Sequence, residues 1–177
     1  MPEVTFNVLL YVSGSEHSFS AAVYAATLLN HLPNIQLTVV QVQDSIDGTM
    51  GSDDYNWLDI WPVTPNAAWM KKILSEADHE TQKEYQGILL RTNEIFSQKG
   101  LNVKHEILVA NNNIIDVAET IIDYAAKNSI KMIIMGTRGL TDIKGLVLGS
   151  FAHTMLNRSP IPVLLIKKLP QEFINNL

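Results

Sequence analysis

The sequence predicts an α/β domain: one open sheet of five parallel strands with helices on both faces. Three observations carry that expectation. Five short apolar runs alternate with segments whose apolar residues recur every three or four positions, giving the order β-α-β-α-β-α-β-α-β. Such alternation means parallel strands joined by right-handed helical crossovers. The runs are nearly continuous in Val, Ile and Leu, as expected where both faces of a sheet are covered. The 177 residues suffice for one well-covered core and require no second domain, so residues 1–177 are read as a single domain with its core at about 6–167.

The first strand is expected at 6–12, Phe-Asn-Val-Leu-Leu-Tyr-Val. In the following Ser13-Gly14-Ser15-Glu16, Ser13 as N-cap with Glu16 three residues on fits a capping box. Ser18, Ala21, Ala22, Ala25, Leu28 and Leu29 then mark an alanine-rich helical face suited to lying close against a sheet. Leu32-Pro33-Asn34 ends that helix, and the second strand is expected at 36–43. A polar loop at 44–66 carries Gly48, Gly51, Pro62 and Pro65, together with Trp57 and Trp61. A loop of that length is expected to be functional or mobile, with its tryptophans packed on the domain surface.

A long helix is expected at 67–98, with Trp69, Ile73, Ala77, Tyr85, Thr92 and Phe96 along one face and Gly100 just past its end. The third strand is read at 103–109, and a helix at 114–127 with Ile114, Val117, Ala118, Ile121, Ile122 and Ala125 inward. The fourth strand follows at 130–135, a helix at 150–157, and the fifth strand from Pro162 to Lys167. The tail at 168–177 is expected to fray.

Composition narrows the function classes. A net charge of −5, with cations scattered apart from Lys71-Lys72 and Lys167-Lys168, argues against a nucleic-acid surface. No apolar run approaches the ~18–20 residues that span a bilayer, so no membrane segment is expected. Absence of cysteine excludes disulfides and thiolate metal sites. Met1-Pro2-Glu3-Val4 lacks the basic start of a secretory signal, which makes a cytoplasmic location the expectation. His17 and His153 fall in first helical turns and read as surface or packing groups. His31, His79 and His105 show no ligand spacing with an acidic cluster, and Asp53-Asp54 reads as solvated charge, so no metal site is expected.

The chemistry concentrates in two loops. Met135-Gly136-Thr137-Arg138-Gly139 follows the fourth strand, and nine residues later Gly149-Ser150 opens a helix. Glycines let the main chain approach a ligand closely, and a helix N-terminus offers N–H groups to an anion. The second loop is the turn after the first strand, Val12-Ser13-Gly14-Ser15. In an open α/β sheet both loops reach the edge where ligands bind.

Gly136-x-x-Gly139-(nine residues)-Gly149-Ser150 matches the G-x2-G-x9-G-[S/T] pattern of the nucleotide-binding universal stress proteins. Gly14-Ser15-Glu16-His17-Ser18 resembles that family's N-terminal turn, and Ser159-Pro160-Ile161-Pro162-Val163-Leu164 resembles its entry into the last strand. The resemblance extends from about Phe6 to Lys167. It implies a Rossmann-like fold of the adenine nucleotide alpha hydrolase type, with ATP in the crevice, alone or with Mg or Mn. By position, Tyr11, Val12, Ser13 and Val42 would flank adenine and ribose. Met135, Gly136, Thr137, Arg138 and Gly139 would cradle sugar and phosphates, and Gly149, Ser150 and Phe151 would hold the phosphate chain. Lys144 is a weaker candidate.

Two positions depart from the pattern. Ser13 stands where the family commonly has Asp, removing a carboxylate that can bond ribose or hold a metal. Ala152 stands where nucleotide binders usually carry a further hydroxyl, at a cost of ~0.5–1.5 kcal/mol for one neutral hydrogen bond. No positioned base, carboxylate pair or Walker lysine is seen, so no catalytic residue is assigned and efficient hydrolysis is not expected. The resemblance thus implies ATP as a regulatory or sensor ligand in a stress response. It also implies a homodimer paired through the apolar last strand, Pro162 to Lys167, and a protein partner that the residues do not identify. A dimeric interaction module without nucleotide is one alternative. The other is an ATP pyrophosphatase, whose SGGxDS loop Ser13-Gly14-Ser15-Glu16-His17-Ser18 matches poorly.

Overall fold

The computed structural model describes residues 4–44, 87, 90–101, 103–138 and 148–177. Positions 45–66 of the expected loop with Trp57 and Trp61, most of the helix expected at 67–98, Gly139 and Lys144 lie outside the described residues. Five strands form one sheet: β1 (Phe6–Tyr11), β2 (Ile35–Asp44), β3 (Lys104–Ala110), β4 (Met132–Gly136) and β5 (Val163–Ile166). Their order is β3-β2-β1-β4-β5, and every neighbouring pair is parallel. The helices are α1 (Glu16–His31), α3 (Ile114–Lys127), α4 (Ser150–Arg158) and α5 (Gln171–Asn175), with α2 the helical segment at residues 90–97. No helix among the described residues is long and apolar enough to cross a membrane.

Strand alternation builds a core on each face. Val8, Leu10 and Val12 face α1 and α2, where they join Phe19, Ala22, Ala25 and Phe96. Leu9, Val40, Ile133 and Met135 face α3 and α4 with Ala118, Ile121 and Met155. Leu9 and Leu10, adjacent in β1, are both 0% exposed, so the central strand is covered on both sides as its unbroken apolar run requires. Alanine at positions 21, 22, 25 and 26 lets α1 lie close to the sheet, and all four are buried. The closest approach is at the end of β4. A Cβ on Gly136 would stand 2.7 Å from the His17 carbonyl carbon and the Ser18 nitrogen.

Three expectations are corrected. The cap of α1 is Ser15, not Ser13: Gly14 takes φ +87°, which delays the helix by two residues, and the Ser15 hydroxyl accepts from the Ser18 N–H at 3.1 Å. Glu16 is therefore in the first turn and closes no capping box. Its carboxylate pairs with Arg91 of α2 at 3.1 and 3.4 Å. That guanidinium also lies 4.2 Å from the Phe19 ring centre, over its face, and holds the Glu16 carboxyl below its usual range. Finally, the tail is anchored at its start and helical beyond it. The Leu169 N–H donates to the Ser20 hydroxyl at 3.0 Å, Leu169 packs against the α1-side core, and α5 adds a further turn.

The end of α2 follows the expected glycine rule. Gly100 has φ +67°, the Leu101 N–H reaches the Phe96 carbonyl at 3.0 Å, and the Gly100 N–H reaches that of Ser97 at 3.0 Å. This is the six-to-one and five-to-two bond pair that closes a helix C-terminus. His105 of β3 is buried, at 4% exposure, and desolvation holds its imidazole down at about 4.

Two outcomes are expected from this packing. Gly136→Ala should destabilise the fold by about 1–3 kcal/mol, because the neighbouring atoms are backbone and cannot swing aside; urea unfolding measures it. For His105 the folded protein binds fewer protons than the unfolded chain between about pH 4 and pH 6.5. Its contribution is complete above pH 6.5 and is lost as pH falls toward 4, a loss of about 3 kcal/mol. Urea midpoints across that window should decline more steeply for the wild type than for His105→Gln.

Candidate functional site: the crevice between the first and fourth strands

The chain runs outward from β1 through β2 to β3, then returns to place β4 on the other side of β1. The loop after β1 enters α1 on one face and the loop after β4 leads to α4 on the other, so a crevice opens between their ends. β2 outlasts β1: Tyr11 pairs with Val40, leaving Val42 beyond the end of β1. Tyr11, Val42, Met135 and Phe151 share the face covered by α3 and α4 and pack in one apolar cluster. Val12 points the other way and is buried against α1. Gly136 is bare because α1 passes over it. The residues expected to cradle a ligand thus divide into side chains that face the crevice and positions whose first duty is packing.

Tyr11, Ser13, Met135, Gly136, Arg138 and Phe151, with Ala152, line a cleft of about 90 Å³. Ligand pockets are usually about 300–1,000 Å³. The Tyr11 and Phe151 rings, both on its lining, meet with centroids 5.1 Å apart and planes at 52°. Ala152 is 1% exposed, its methyl group packed in the α3/α4 core.

Ser15 fastens the two lips together. Its hydroxyl donates to the Arg138 carbonyl at 2.9 Å, accepts from the Ser18 N–H, and accepts from the Ser13 hydroxyl at 3.3 Å. One donor and two acceptor positions are all used, which is the full capacity of a serine. Buried at 3% exposure, this side chain stands out in the sequence only as a member of the turn after β1. Its role follows from the delay that Gly14 imposes on the helix start.

Thr137 joins the second pair of elements. Its N–H donates to the Ile166 carbonyl at 2.9 Å, continuing the β4–β5 ladder, and its carbonyl accepts from the Gly149 N–H at 2.8 Å. The Gly149 N–H is therefore turned inward, against the expectation that it would face an anion. Gly149 is the N-cap of α4 and supplies no side-chain cap. The first helical bond runs from His153 N–H to the Gly149 carbonyl at 3.0 Å, so the N–H groups of Ser150, Phe151 and Ala152 have no acceptor within the helix. They form the positive end of α4, whose first turn holds no acidic residue. Ser150 is exposed there. His153 is exposed and lies 3.2 Å from the Asn157 amide, in keeping with the surface role expected of it. Among the described residues no group of three or more His, Asp or Glu is placed to hold a metal.

A profile of the Universal stress protein family matches residues 5–167. Universal stress protein YxiE of Bacillus subtilis (strain 168) is 31% identical over 94 residues, covering 53% of this chain and 60% of that protein. The matched stretch thus spans under two thirds of that relative's length. Among solved structures, hypothetical protein MJ0577 is similar with a TM-score of 0.62 at 19% identity, covering 95% of this chain and 99% of that one. A universal stress protein in complex with cAMP is similar with a TM-score of 0.59 at 18% identity, covering 94% of this chain and 99% of that one. Both likenesses show the same α/β fold.

Because Ser15 is both helix cap and lip fastening, Ser15→Ala should cost about 1–2 kcal/mol in a denaturant titration, while Ser15→Gly, which keeps the cap conformation, should recover some of that loss.

Proposed function

The chain belongs to the universal stress protein family, and on that premise we propose that it binds ATP as a regulatory or sensor ligand in a cytoplasmic stress response. The observation that carries this reading is the convergence on one crevice of the first-turn N–H groups of α4 and the half-buried Arg138, with Ser13 on the same lining. Backbone N–H groups at a helix N-terminus suit phosphate oxygens, and a guanidinium strengthens such contacts. In this reading Arg138, Ser150 and Phe151 hold the phosphate chain by side chain or N–H, with the Gly149 N–H bonded to the Thr137 carbonyl tying the start of α4 to the end of β4. Tyr11, Val42 and Met135 supply the apolar wall for the base, and Val12 and Gly136 keep α1 in place behind it. A base entering there displaces the Phe151 ring from Tyr11. The structure of a relative holding cAMP supports an adenine nucleotide as the ligand class.

The described crevice offers no carboxylate, Ser13 standing at the position in question, so its residues do not fit a protein-held Mg or Mn. Serine, arginine and backbone N–H groups bind and orient; none of them is set to take a proton, and the reading is of binding rather than turnover. Residues 1–177 act in this reading as one domain. Two copies pair as a homodimer through β5 and its flanks, Pro162 to Lys167. β5 lies at the sheet edge, and Val163, Leu164 and Leu165 are only half-buried along it. Such an edge pairs readily with another strand, and a protein partner then reads the dimer's state. A second reading, an interaction module without nucleotide, is favoured by the narrowness of the cleft.

Sedimentation velocity in the presence of ATP, followed at the absorbance bands of nucleotide and protein, tests both the ligand and the pairing. The expected result is a dimer carrying comigrating ATP, with a stability gain of about 2.7 kcal/mol when free ATP is a hundredfold above its dissociation constant. Protein that sediments without nucleotide replaces the ATP reading with the interaction module, and a monomer overturns pairing through β5.

A further inference from the structure

At the opposite edge of the sheet, a second cleft of about 180 Å³ lies under the C-terminal end of α3. Asn7, Gln36, Thr38 and Lys104 line it from the strands, Tyr124 and Asn128 from the helix and its cap. Among the described residues, buried side-chain N and O atoms without a hydrogen-bond partner occur on three residues, Asn7, Gln41 and Tyr124, and two of the three line this cleft. The Asn7 amide is oriented by its NH₂ group, which donates to the Asn128 carbonyl at 3.4 Å; its carbonyl oxygen is left as an unused acceptor. The Tyr124 hydroxyl interacts electrostatically with the Lys104 ammonium and the Glu106 carboxylate, but neither meets the distance and angle of a hydrogen bond to it. Buried polar atoms are nearly always paired, and leaving one unpaired costs about 1–3 kcal/mol, so two in one cleft point to something that fills it.

The charges around the cleft indicate what that is. Lys104 is bonded to Glu106 at 2.7 Å, which cancels a full charge on either side. An anion would meet Glu106 and the negative end of the α3 dipole, and a cation would meet the Lys104 ammonium. Burial pushes the Tyr124 phenol up, so it stays a protonated donor at neutral pH. The Asn7 oxygen asks for a donor and the Tyr124 hydroxyl for an acceptor. A hydroxyl group is both. The cleft volume corresponds to roughly six water molecules at about 30 Å³ each, the space of a small polyol.

We propose that this cleft binds a small neutral polyol, held between the Asn7 side-chain carbonyl and the Tyr124 hydroxyl with Thr38 beside them, at a site separate from the crevice between β1 and β4. The probe is xylitol, titrated into the full chain and read by saturation transfer to the polyol and by the NMR shifts of the Asn7 side-chain amide. Xylitol should receive saturation and move that amide signal, and saturating ATP should leave both effects unchanged. Tyr124→Phe, which keeps the ring and its packing, should weaken the binding about tenfold through loss of one buried hydrogen bond. The proposal is overturned if xylitol leaves the Asn7 signal unmoved, which makes the cleft a site for water alone. It is also overturned if Tyr124→Phe binds as the wild type does, or if ATP displaces the polyol, which would put it in the other crevice.

Discussion

The first turn of α1 lies so close to the end of β4 that no side chain larger than hydrogen fits at Gly136. Much of the molecule follows from that approach. It brings the loop after β1 against the loop after β4, which is what makes a crevice out of two separate strand ends. It needs the small side chains of α1, because a leucine at Ala22 or Ala25 would hold the helix off the sheet. It also sets Ser15 within reach of the Arg138 carbonyl. Backbone approach comes first here, and the polar contacts settle into the geometry it leaves.

Around that contact, fold and candidate site share atoms. The Ser15 hydroxyl is fully used, in the bond across to Arg138, the cap of α1 and the bond from Ser13, and Thr137 commits its N–H to β5 and its carbonyl to the start of α4. What the helix itself leaves without an acceptor are the first-turn N–H groups of α4, beside the exposed Ser150. A rigid frame of satisfied bonds behind a few unclaimed donors is what an anion site needs, since donors already in place lose little freedom when a ligand arrives.

Much of the fold was legible because its signals are local. The apolar runs located all five strands, and the helix at 114–127 was placed to the residue by its apolar spacing; of the side chains expected inward, Ala118, Ile121 and Ala125 are buried, whereas Ile114, in the first turn beside the Asn113 cap, is exposed. Resemblance then supplied the family and pointed to the crevice. The cap of α1 was misread because Ser13 and Ser15 are both plausible caps, and only the positive φ of Gly14 chooses between them. Gly136 was legible as special but not in its duty. Spacing cannot distinguish a glycine that admits a ligand from one that admits a helix, and Gly136 admits a helix. Arg91 was invisible because its partners, Glu16 and Phe19, lie far off in sequence. The tail was misjudged for a similar reason: Ser20, which anchors Leu169, is 149 residues away.

The contact between Tyr11 and Phe151 has a consequence for how such a molecule would be tuned. Where a ligand must push one ring away from another before it can settle, its apparent affinity is the intrinsic affinity multiplied by the fraction of molecules already open. The ligand concentration that fills such a cleft would then be set by ring against ring, with the first-turn N–H groups of α4 untouched. A change at position 151 alone would move that threshold with the glycine spacing intact, so the ring pair and the glycine run are two separate means of tuning one cleft.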